Sequence, residues 1–138
     1  MNNLKDAINS KVLDTSIYND VQGRFYYKSA NSPDYPRIVY SRVSGVPDNA
    51  FAKNGESVLL QFDLYSMASA GNTEIETMET DLKALLDDCQ LTITGKTLVW
   101  FERTNIMGPM EEDVSALNDG TVMVSHTAID YNVTYQNT

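Results

Sequence analysis

The chain has 138 residues and a mass of 15.4 kDa, with 19 acidic against 10 basic side chains, a formal charge of −9 and a pI near 4.4. That is the length of one domain, 1–138, and its 42% hydrophobic residues can build a core, which excludes wholesale disorder. The acidic excess excludes a grip on nucleic acid through its phosphates, and no apolar run approaches the ~18 residues of a membrane helix.

In chain order, Leu4, Ile8, Val12, Leu13 and Ile17 recur at helical spacing and predict an amphipathic helix from about Leu4 to Ile17, with Asn2 or Asn3 as its cap. The mixed polar composition of this stretch lacks the apolar core of a signal peptide. A short strand is expected at Arg24 to Tyr27, then a loop in which Pro33 and Pro36 hold the chain extended. Arg37 to Ser44 reads as a β-branched strand closed by Gly45 and Pro47. The alternation of Val58, Leu60, Phe62 and Leu64 against Leu59, Gln61, Asp63 and Tyr65 predicts a strand with one core face and one partly wet face.

Thr73 to Glu76 has the spacing of a capping box and opens a second helix, along which Ile75, Met78, Leu82, Leu85, Leu86 and Cys89 form a stripe that needs a sheet to lie on. Strands from Thr97 to Met107 and Val122 to Tyr135 follow, joined by a segment with Gly108-Pro109, Glu111-Glu112-Asp113 and an Asn118-Asp119-Gly120 turn signal, which reads as a long hairpin with a large tip. The fold class is α+β: a mainly antiparallel sheet, two amphipathic helices on one face, and a long C-terminal β-hairpin.

Chemistry is sparse. No phosphate loop, His-Glu-x-x-His or Gly-x-Ser-x-Gly motif occurs, so no cofactor is expected. Cys89 has no partner for a disulfide or a zinc cluster, which suits assembly in a reducing cytoplasm, and at the end of its stripe it reads as a buried hydrophobe. His126 reads as a hydrogen-bonded structural histidine, since no nucleophile or orienting acid is identifiable beside it. Asp63, Glu102 and Asp130 could converge as hydrolytic or metal-binding carboxylates, but acids in strands more often face water or pair with a cross-strand Arg such as Arg42 or Arg103. Ile106, Met107, Met110, Val114 and Leu117 place apolar groups in a hairpin tip beside the charges of Glu111, Glu112 and Asp113. The segment is either a loop folded back on its own domain or an arm that packs on another subunit, with Met supplying adaptable contacts.

Across Arg24-Phe25-Tyr26, Pro36-Arg37-Ile38-Val39-Tyr40-Ser41-Arg42-Val43-Ser44-Gly45 and Gln61-Phe62-Asp63-Leu64-Tyr65-Ser66, in that order over about residues 4 to 89, the chain resembles the tail-completion (tail-terminator) proteins of long-tailed bacteriophages and prophages. The resemblance implies a minor tail protein that assembles with itself as a ring, commonly a hexamer, on the last ring of the tail-tube protein. Such a ring stops tube growth, sits at the head-proximal end of the virion tail, and meets the head connector or stopper protein. It implies no enzymatic activity. A lumen lined by Asp and Glu would let DNA pass without specific binding. Of the matched residues Arg24, Tyr26, Pro36, Val39, Tyr40, Ser44, Gly45, Phe62 and Asp63, a rigid approach to the strand is expected from Pro36, packing in the sheet from Tyr40 and Phe62, and a turn from Gly45. A competing reading is a small non-enzymatic module that takes a peptide on a sheet edge or on the hairpin.

Overall fold

The apolar stripes come to rest on a single face of a five-stranded sheet. Residues 2–31, 33–48, 55–113 and 123–137 are described in a computed structural model. Helix α1 (Asn2–Val12), helix α2 (Ser16–Asp20) and strand β1 (Phe25–Tyr27) precede β2 (Arg37–Asp48) and β3 (Gly55–Met67). A short 3-10 turn (Ala68–Ala70) leads into α3 (Asn72–Leu86), followed by β4 (Lys96–Asp113) and β5 (Met123–Asn137). The sheet order is β1-β2-β3-β5-β4, so the last strand lies inside the sheet and β4 forms its edge.

The expected single N-terminal helix is two. Asp14 adopts a left-handed φ of 61°, and the Thr15 hydroxyl donates to the Val12 carbonyl at 2.6 Å, which ends α1. The chain then restarts as α2, which buries Ile17, with Val21 buried just beyond its end. The capping box does not form either. The helix starts at Asn72 behind a Gly71 cap with φ 73°, which places Thr73 within the first turn and not at the cap; separately, Glu74 accepts from the Ser66 hydroxyl at 2.5 Å. Helix α3 ends at Leu86, yet Cys89 is still buried in the turn beyond, where loss of water pushes its thiol up to about 11.

β1 runs parallel to β2, whereas short connections favour antiparallel pairing. Arg24 supplies the reason: its guanidinium donates to the carbonyls of Tyr35 and Pro36 at 2.8 and 2.9 Å, folding the proline loop back so that β2 starts beside β1. The remaining neighbours pair antiparallel.

Ile38 and Tyr40 of β2, the Val58-to-Leu64 alternation of β3, and Ile129, Tyr131 and Val133 of β5 make the core face. Leu4 and Ile8 of α1 and Ile75, Met78, Leu82 and Leu86 of α3 join them in one cluster. Aromatic rings run through its centre: Tyr40 stacks on Phe62 at 5.1 Å, and Phe62 meets Tyr131 edge-on at 5.7 Å. The expected packing of Tyr40 and Phe62 is thus observed. The buried hydroxyls are satisfied, Tyr40 donating to Asn9 and Tyr131 to Asp87, each at 2.7 Å.

Two turn readings are corrected. Gly45 lies within β2 and turns nothing: it follows a bulge between Arg42 and Ser44 and pairs with Val58 of β3. β4 does not stop at Met107 but continues past Gly108-Pro109 to Asp113, because a bulge between Met107 and Met110 absorbs the proline and lets pairing with β5 resume.

Candidate functional site

Helices cover one face of the sheet, and the other carries its polar chemistry. Pairing places Arg37 of β2, Tyr65 of β3, His126 of β5 and Met110 of β4 side by side in one lateral row. Arg37 lies over the rings of Tyr35 and Tyr65 at 4.5 and 5.6 Å, and Tyr65 stacks on His126 at 4.6 Å. Burial, with the negative charges of Asp63 and Glu112, pushes the Tyr65 phenol up to about 12.

His126 is the centre of the row. Its Nε2 lies 2.8 Å from Asp63 Oδ1 and its Nδ1 2.6 Å from Glu112 Oε1, so three strands meet on one imidazole. The side chain of His126 retains only 14% of its exposure and that of Asp63 18%, against 39% for Glu112. The hydrogen bond that the ring donates to Asp63 raises the imidazole above its ordinary value; burial opposes this, and Glu112 adds to it. The structural reading of His126 therefore agrees with its surroundings. The two orienting acids could not be identified from sequence, because each comes from a different strand.

The suspected carboxylate trio forms only in part. Asp63 and Asp130 are diagonal neighbours across β3 and β5, and burial together with the Asp63 charge raises the Asp130 carboxyl. Glu102 lies a further row away, opposite Asn132, and is exposed. Asp63 is already engaged by His126 and by the Gln61 amide at 3.0 Å. Among the described residues, no group of three or more His, Cys, Asp or Glu side chains is placed to hold a metal ion. Arg103 pairs with Asp87 at 3.4 Å, not with any of the three. A hollow of about 400 Å³ lies elsewhere, between α1 and the segment before β4, lined by Asn3, Asp6, Lys11, Gln90 and Thr92.

The apolar tip is relocated rather than removed. Ile106, Met107, Met110, Glu111, Glu112 and Asp113 are strand residues at the distal end of β4, while Val114, Leu117 and the Asn118-Asp119-Gly120 turn signal lie outside the described residues. Met107 and Met110, 48% and 41% exposed, share the open face with Trp100 at 42%; Ile106 turns toward the core face and is half-buried. Of the other matched residues, Arg24 clamps the proline loop, Pro36 is buried at the start of β2, Tyr26 and Val39 are half-buried, and Ser44 is exposed.

No protein-family model and no curated protein sequence matches the chain. Solved structures do share its fold. A chain of a structure described as the virion of a native gene transfer agent particle superimposes with a TM-score of 0.74 over 97% of this chain and 95% of that one, at 10% identity. A second solved chain gives a TM-score of 0.55 over 96% and 94% of the two lengths, at 12% identity. At such identities the likeness is one of fold. Among the described residues, no helix is long and apolar enough to cross a membrane.

Proposed function

We propose that the chain is a structural protein of a phage or phage-like virion, and specifically a tail terminator: a ring of copies, hexameric in the resembling family, that caps the tail tube, ends its growth and offers the surface that meets the head connector. The carrying observation is the fold shared over almost the whole length with a chain from a gene transfer agent virion. The Arg24, Pro36-to-Gly45 and Gln61-to-Ser66 motifs support the finer assignment. The way His126 is used fits a structural role: both ring nitrogens are taken by carboxylates of the same sheet, which ties strands together. The site supports a protein that works by shape and is not an enzyme.

Subunits in such a ring meet head to tail. The distal half of β4, with Met107 and Met110 exposed beside Glu111, is the surface we assign to a neighbouring copy. Strand addition of a peptide fits this edge less well, because bulges at three places and Pro109 interrupt the regular run of edge donors and acceptors. The charge of −9 would present acidic side chains to DNA in the lumen.

Deleting the reading frame from its phage or prophage tests the assignment. The expected products are unjoined heads with tails of uncontrolled length, restored by supplying the gene in trans. Normal infectious particles in its absence would refute it.

A further inference from the structure

The distal end of β4 is joined to the rest of its strand by an interrupted stretch of backbone. The register skips from Met107 to Met110, leaving Gly108 and Pro109 outside the ladder, and proline has no N–H to contribute. Gly108 has φ 104°, and a Cβ on it would stand 2.5 Å from the His126 carbonyl oxygen, so only glycine lets the chain pass there. Beyond this point, Met110 to Asp113 pair with Met123 to His126 of β5, and with no other strand, because β4 is the sheet edge. The described side-chain tie from this segment to the sheet is Glu112 to His126.

That tie depends on a proton. Both imidazole nitrogens face a carboxylate oxygen, at 2.6 and 2.8 Å, and both can donate only as imidazolium. A neutral ring donates once and sets the lone pair of its other nitrogen against the second carboxylate. Asp63 is held on the inner strand β3 and also receives the Gln61 amide, whereas Glu112 is on the edge and substantially exposed. Glu112 is therefore the partner that lets go. We propose that Met110 to Asp113 is a releasable flap, hinged at Gly108-Pro109 and pinned to the sheet by protonated His126.

The groups around the pin are Asp63 and Tyr65 from β3, Glu112 from β4 and Asp130 from β5, with Arg37 from β2 and Tyr35 from the preceding loop reached through the Tyr65 ring. Asp63 and Glu112 outweigh the nearby positive charge of Arg37 once the imidazole is neutral. Because the folded imidazole titrates above its ordinary 6.5, the pin is fully in place below that pH and is lost as pH rises through the raised value. The inference does not depend on the virion reading.

NMR on the full chain between pH 6 and 10 tests it, following the His126 ring together with hydrogen exchange corrected for its intrinsic pH dependence. The ring should titrate above 6.5. Protection of those Met110-to-Asp113 amides that bond to β5 should fall about tenfold as it does, while the β5-bonded amides among Leu98, Trp100 and Phe101 on the same strand stay protected. Glu112→Gln should lower the ring's midpoint and remove the step, since an amide can donate to a neutral nitrogen or accept from a protonated one. The proposal is overturned by a midpoint at or below 6.5, by unchanged protection across the titration, by parallel loss at Leu98 to Phe101, or by a full step in Glu112→Gln.

Discussion

Asp20 carries a cost that its position imposes. At the end of α2 it faces Asp81 of α3, and one of its oxygens, Oδ2, is buried with no hydrogen-bond partner among the described residues. Burial first, and then the shared hydrogen bond with Asp81 and its charge, push the Asp20 carboxyl up to about 7. The folded chain thus holds a proton that the unfolded chain releases near 4, so this contribution is most favourable below pH 4 and is lost as pH rises toward 7. Asp20→Asn keeps the hydrogen bond without the charge. Thermal melts at pH 8 should show it stabilised by on the order of 1 kcal/mol after allowance for solvent screening, with the gain shrinking toward pH 4. Gly108→Ala should act in the opposite sense: the added methyl meets backbone at a positive φ, and a loss of about 1 to 3 kcal/mol is expected in urea melts.

The elements that could be read from sequence were those whose burial follows one period. Helix α3 shows Ile75, Met78, Leu82 and Leu86 buried as its stripe requires, and β3 alternates as Val58 to Leu64 predict. Leu82→Ala should therefore cost about 2 to 5 kcal/mol, while Leu13→Ala, at a position 53% exposed, should stay within about 0.5 kcal/mol when both are measured in urea. Boundaries decided by tertiary contacts were not legible. The Asp14 break in the first helix rests on a left-handed φ and the Thr15 hydroxyl bond to Val12, which the apolar spacing through Ile17 does not announce. The parallel pairing of β1 follows from one Arg24 clamp across the proline loop. The site shows the same division. Asp63 and His126 could be picked out singly, but Glu112 joins them only through the β4–β5 register, which the bulge at Gly108-Pro109 sets and no local pattern announces.

At the scale of the whole molecule, net charge and exposed apolar groups oppose each other. In the ring proposed above each copy would bring −9, so its assembly would raise mutual repulsion, while burial of Met107 and Met110 against a neighbour would favour it. Salt weakens the first effect strongly, because the Debye length falls from about 10 Å at 0.1 M to about 3 Å at 1 M, and leaves the second intact. Native mass measurements should accordingly find assembly that strengthens with sodium chloride. Met107→Glu with Met110→Glu should abolish it at every salt concentration, because the change removes apolar contact and adds two negative charges at the same surface. Both side chains are exposed in the single copy, so its melting temperature should move little. Assembly that weakens with salt would mean that ion pairs between copies hold the ring. Rings that survive the double substitution would move the interface away from β4.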